Sequence, residues 1–277
     1  MEVLQYEFMR NALTAGILAS IACGIVGTFV VVKRIVFISG GISHSAYGGI
    51  GLGYYFGFNP MLGAVLFSLM TAMTIGLVSK KPGQREDTLI GVMWAIGMAI
   101  GVVFIQITPG YTADLFSYLF GSILAVPTTD ITLMFILDIL IMVVVFIFFR
   151  EFTAICFDEE FAALISYPKK LYLLLLCLVA LTVVTLIRVV GIILVIAMIT
   201  IPAGISAQFT ESIKKMMFMS VLLGTIFTTL GLVLSYKFDI ASGAAIILVS
   251  GVCYIFSLGI KYVNTCRKNN NFHLGKG

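Results

Sequence analysis

Apolar runs of roughly 20 residues, separated by short charged connections, recur along the whole chain, and that length is what a hydrocarbon core of about 30 Å demands of a helix. In lipid every backbone N–H and C=O must be satisfied internally, so the chain is confined to membrane helices or a closed barrel. The short alternating strands of a barrel do not occur in the sequence. Of the 277 residues 60% are hydrophobic and 11% charged, too little polar surface to cover a soluble globule. The fold class is therefore all-α: a polytopic membrane helix bundle.

The apolar runs place about nine spans, at 12–32, 43–58, 61–78, 88–107, 131–149, 171–187, 189–207, 217–236 and 242–263. The segment around 117–126 and the short separation at Arg188 leave eight or ten open. Basic residues mark the cytoplasmic side of a membrane protein. Lys33-Arg34 and the loop KKPGQRED at 80–87 fall on one side under this count, which puts the N-terminus outside and the C-terminus in the cytoplasm. The sequence divides into a membrane domain over 1–264, with a cytoplasmic loop at 151–170, and a flexible basic tail over 265–277. No removable signal peptide is read at the start, because MEVLQYEFMRNAL lacks a basic region ahead of a short apolar core. The formal charge of +4 reflects these edge residues and is no nucleic-acid signal. The scattered cysteines Cys23, Cys156, Cys177, Cys253 and Cys266 form no CxxC pair and read as packing residues.

His44 is the one histidine within an apolar run; His273 lies in the tail. An imidazole in such surroundings is costly unless it meets protein, water or an ion, so it is a functional candidate. The competing reading is a histidine hydrogen-bonded to Ser43 or Ser45. Ser45, Gly49, Gly53 and Gly57 recur every fourth residue, a small-residue stripe suited to close approach of a neighbouring helix. Asn59-Pro60 makes a turn, and Pro202 beside Gly204 is expected to interrupt its span. Asp138 either lines a path or pairs with Arg188, the pair being favoured. Asp114 and Asp239 read as solvated acids at the outer surface. Asp158, Glu159 and Glu160 precede an apolar stretch, as acids do in a helix's first turn, and Pro168 closes it, which suggests a short amphipathic helix.

Several motifs, in order and spacing, resemble the permease subunits of ABC-type zinc and manganese uptake systems, the ABC-3 family: VVKRIVFISGGISHSAYGGIGLG, DLFSYLFGSIL, FDEEFAALIS, VVGIILVIAMITIPAGISA and SYKFDIASGAAIILV. The resemblance covers nearly the whole chain. It implies a multi-pass protein of the prokaryotic plasma membrane that acts as a homodimer with the ion path at the subunit interface. Two cytoplasmic ATPase subunits and an external metal-binding protein would be its partners. No cofactor is implied, and Zn2+ or Mn2+ would be the cargo. FDEEFAALIS looks like the helix that docks on the ATPase, with Asp158, Glu160, Ala162 and Ser166 at matching positions and Ser166 where many relatives have glycine. Relatives commonly carry aspartate four residues before the histidine; here that position is Gly40, so His44 needs a second ligand from the dimer mate's His44, a water or a freed carbonyl. Imidazole without carboxylate leans toward zinc.

No GxxxxGK[ST] occurs, so ATP hydrolysis is assigned to a partner chain and the protein itself is not an enzyme. The alternative is a self-sufficient secondary cation transporter or channel that uses His44 and Asp138 as a relay. A haem protein would need two histidines brought together from separate chains and ranks last.

Overall fold

The computed structural model describes residues 6–79, 85–109, 115–157 and 167–274, and among them all regular structure is helical. The elements are α1 (Glu7–Lys33), α2 (Val36–Phe56), α3 (Pro60–Val78), α4 (Glu86–Ile107), the short α5 (Leu115–Phe120), α6 (Thr128–Ile147), α7 (Phe149–Phe157), α8 (Pro168–Val190), α9 (Val195–Phe209), α10 (Ile213–Phe238) and α11 (Ser242–Leu274). Single 3-10 turns at Ile123–Ala125 and Ile192–Leu194 precede α6 and α9. Eight helical segments are long and apolar enough to cross a membrane. The ninth long helix, α2, is not among them, because its interior place replaces lipid contact with protein contact. Every residue from Ile38 to Gly51 is buried, so the helix can be rich in glycine and serine.

α1 and α8 form the axis of the bundle, with 72% and 78% of their most apolar stretches buried, against 17% for α4 at the rim. Helix ends register through polar contacts. At one end Lys33 Nζ donates to the Ile155 carbonyl at 2.6 Å, and the Tyr172 hydroxyl donates to Glu86 at 3.0 Å. Lys33, Arg34, Arg85, Arg150, Lys169, Lys170, Lys214 and Lys215 all belong to this basic end, by their places at helix termini. At the opposite end Asn11 donates to the Val126 carbonyl.

α1 turns into α2 within two residues. Arg34 adopts a left-handed conformation with φ 62°, and the Ile35 N–H reaches back to the Val30 carbonyl at 3.0 Å. The second span thus begins seven residues before the expected 43. Ser39, Gly40 and Gly41 have the composition of a loop, yet they are helical because neighbouring side chains occupy the space a larger residue would need: Ile196 against Gly40 and Ile90 against Gly41. The expected small-residue stripe is divided between two neighbours. Ser45 meets Gly97 of α4 and Gly49 meets Gly63 of α3, while Gly57, at φ 72°, ends the helix. Asn59 caps α3 by accepting from the Met61 N–H at 2.9 Å, with Pro60 in the first turn, where its missing N–H costs nothing.

One expectation fails along the sequence that follows. Pro202 does not interrupt its span, since α9 runs unbroken from Val195 to Phe209. A proline removes only its own bond to the carbonyl four residues back, and the bonds on either side carry the helix across; Ser206 Oγ also donates to the Pro202 carbonyl at 2.9 Å. Gly204 is not at a break either: a Cβ added to it would come 3.4 Å from the Tyr254 ring of α11. The real discontinuity is Gly191, with φ 79° and ψ 159°, three residues beyond Arg188. The α5 segment folds back onto it at the end opposite the basic one. There Ser122 N–H donates to the Arg188 carbonyl at 3.3 Å and Ile123 N–H to Ser242 Oγ at 3.0 Å, and Tyr118, Ile123 and Val126 are buried.

Gly191→Ala is expected to lower stability by about 3 kcal/mol, because this backbone region is open almost only to glycine and the added methyl would meet the Leu119 carbonyl and the Gly121 backbone. A thermal melt in detergent checks this; an unchanged midpoint would mean that the α5 segment moves freely aside.

Candidate functional site

His44 lies eight residues into α2, about 12 Å from its start at 1.5 Å per residue, and is 9% exposed. Its ring stacks on Trp94 of α4, with centroids 3.9 Å apart and planes inclined by 11°. Both helices start at the basic end, and Trp94 is likewise eight residues in, so the rings sit at one level. His44 Nδ1 is buried without a hydrogen-bond partner. The serine explanation fails: Ser43 Oγ donates to the Gly40 carbonyl at 2.8 Å and Ser45 Oγ to the Ile42 carbonyl at 2.9 Å. Each hydroxyl is spent on its own helix. A buried polar atom left without a partner costs about 1–3 kcal/mol, and such atoms in native folds call for a reason. An imidazole lone pair fixed in orientation by an aromatic face, and held by no other group, is suited to a passing electrophile such as a metal ion.

One turn earlier, a Cβ on Gly40 would meet the Ile196 side chain of α9 and come 3.6 Å from the Trp94 ring. Apolar groups therefore fill the place where the resemblance would put a carboxylate. Among the described residues no three of His, Cys, Asp or Glu cluster to hold a metal. The chain offers one donor here, which makes for a weak site.

Asp138 does not pair with Arg188. Arg188 Nε lies 2.5 Å from Asp130 Oδ2, and its guanidinium stands 4.2 Å from the centroid of the Tyr118 ring. The reason is helical register: Asp130 is in the first turn of α6, beside the end of α8, whereas Asp138 is eight residues deeper, about 12 Å along the axis. Asp138 is 1% exposed, and both its carboxyl oxygens lack a hydrogen-bond partner. Nor does it join His44. α6 packs mainly on α1 and α8, α2 mainly on α4 and α3, so the two groups face different neighbours. Asp239 is exposed at the left-handed cap of α10, with φ 51°, as a solvated acid would be. Asp114, Asp158, Glu159, Glu160, Ala162 and Ser166 lie outside the described residues, as do the side chains beyond 263, His273 and Cys266 included.

Three participants were not legible as such: Trp94 as the partner of His44, Ile196 as the filler beside Gly40, and Asp130 as the partner of Arg188. Only Asp130 had a signal, the Pro-Thr-Thr-Asp order of a helix start.

The helices form a multi-pass membrane bundle with a buried, unpartnered imidazole at a helix crossing. Residues 5–261 match the ABC 3 transport family, and the chain belongs to it. It is 52% identical over 261 residues to an uncharacterized membrane protein of Synechocystis, covering 94% of this chain and 93% of that one. It is 32% identical over 256 residues to the manganese transport system membrane protein MntC of Listeria monocytogenes, covering 92% and 91%. Among solved structures it resembles PsaBC from Streptococcus pneumoniae in complex with Fab, with a TM-score of 0.84 and 31% identity over 92% of this chain and 93% of that one. The chain is a multi-pass plasma-membrane protein.

Proposed function

We propose that this chain is the membrane subunit of an ATP-driven importer of divalent transition-metal ions, and that His44 is a transient foothold for the ion. The observation that carries this reading is the buried, unpartnered Nδ1 of His44, stacked on Trp94 within a glycine-packed crossing of helices. The relative MntC, named for manganese transport, supports manganese as cargo. The imidazole, with no carboxylate beside it, supports zinc, since imidazole suits zinc and carboxylate suits manganese. Both metals therefore belong in the test. A single donor suits transport, because an ion must leave as readily as it enters.

The basic end faces the cytoplasm in this reading, which follows from the cation count and the positive-inside rule; nine helices then cross the membrane, the N-terminus lies outside and the C-terminus inside. Two copies of the chain form the transporter. The open face of α4, which carries Gly91 with no atom within 4 Å of its Cβ position, lies one helix from His44 and supports a path near the second copy. Two ATPase subunits grip the cytoplasmic loop through Asp158, Glu159, Glu160, Ala162 and Ser166, an external metal-binding protein delivers the ion, and nucleotide-driven motion alternates access to His44. The relay alternative loses support because His44 and Asp138 are held against different helices.

Reversing Asp158 and Glu160 to lysine is expected to reduce stimulation of the partner's ATPase severalfold while the permease still reaches the membrane. ATPase assays of the reconstituted pair check this, and undiminished stimulation would remove the loop from the coupling role.

A further inference from the structure

We propose that the groove between α6 and α10 at the basic end is a binding site for an anionic phospholipid, with Arg150 and Lys214 holding the headgroup. The groove encloses about 520 Å3 and has α1 as its floor, at Ile25. Its walls are Met142, Val145 and Phe146 of α6 and Met217 of α10, and Arg150 and Lys214 stand at its mouth. The order along the groove matches a lipid. Both cations sit where the helices end, while Met142 lies five residues inside the end of α6, about 7.5 Å along its axis. The walls face outward: Phe146 is 86% exposed and Ile147 61%, so acyl chains of the bilayer have direct access.

Neither cation is spoken for. Among the described residues no carboxylate lies within ion-pair distance of Arg150 or Lys214, and the Lys214 ammonium rests 5.4 Å from the centre of the Phe149 ring at the groove's edge. Basic pockets between membrane helices, at the level where the helices end, recognise anionic headgroups, and long cationic side chains reach that level from apolar walls. A neutral lipid would leave both charges without a counterion. The inference rests on the membrane fold alone and holds whatever the cargo of the transporter.

Native mass spectrometry of the full-length chain, released from detergent with phosphatidylglycerol, phosphatidylcholine or soluble glycerol 3-phosphate, tests it. Each cation near an anionic headgroup contributes about fivefold, so wild type is expected to retain phosphatidylglycerol about 25-fold better than phosphatidylcholine. R150Q/K214Q is expected to lose this preference, K169Q/K170Q, with the same net charge, to keep it, and glycerol 3-phosphate not to be retained. Equal preference in wild type and R150Q/K214Q would overturn the site, as would equal loss in the two double variants. A change in oligomer mass in R150Q/K214Q with lipid retention intact would make the groove a protein interface and overturn it too. Retention of glycerol 3-phosphate would make it a simple phosphate site.

Discussion

Leucine in place of Gly49 is expected to keep most of the protein from reaching a stable folded state. At the α2–α3 crossing a Cβ on Gly49 would fall on the Gly63 carbonyl, and one on Gly63 would fall on the Gly49 carbonyl. The obstruction is backbone on both sides, so no change of rotamer relieves it. Across α2 the same condition holds on α4, where a Cβ on Gly51 would come 2.6 Å from the Gly101 carbonyl oxygen. A helix gripped on both faces cannot retreat from one neighbour without colliding with the other. Overpacking in an ordinary core costs 1–3 kcal/mol; here the helices themselves must separate, and in lipid close packing is a large part of what holds them together. The expected loss is upward of about 3 kcal/mol, read as a much lower melting midpoint and a poor monodisperse yield. Gly49→Ala should fall between Gly49→Leu and wild type. A leucine variant that melts with wild type would mean the α2–α3 contact is looser than drawn.

The opposite profile is expected at His44, where alanine should spare the fold and stop the work. The imidazole stacks on Trp94, worth about 0.5–1.5 kcal/mol for an aromatic pair, and alanine favours the helix. Removing it also removes the orphaned Nδ1, which lowers the cost of burial. Stability is therefore expected to change little. Under the proposed function, transport depends on a donor that nothing nearby replaces: Ser43 and Ser45 are committed to their own helix, and Gly40 has no side chain. Loss of even an outer-sphere partner weakens metal sites by about 10–100-fold, so loss of the donor itself should reduce uptake at least tenfold. His44→Gln, which keeps a polar group of similar reach, should not restore uptake.

Most of the helices could be read from the sequence because length and hydropathy decide them independently of neighbours. α2 shows where that reading ends. Its first turns look like a loop, and only the positions of Ile196 and Ile90 explain why Gly40 and Gly41 belong to a helix. Pro202 misled for a related reason: local chemistry allows a break, but the flanking bonds of α9 persist, and the strained residue is Gly191, whose role depends on the α5 segment folding against it. The candidate site was half legible. A histidine in an apolar run marked itself, whereas its stacking on Trp94, 50 residues away, is a tertiary fact. Likewise Arg188 advertised a need for a carboxylate, and register alone chose Asp130 over Asp138.

In the proposed function a separate motor drives a metal ion across this bundle by way of His44. The most direct test of this is accumulation of radioactive manganese and zinc in proteoliposomes that contain the permease and its ATPase, with and without ATP, for wild type and His44→Ala. The expected result is ATP-dependent accumulation by wild type and at least a tenfold reduction in the variant, at matched protein content and with ATP hydrolysis retained. Equal accumulation by the two proteins, or accumulation by wild type that persists without nucleotide, would contradict it.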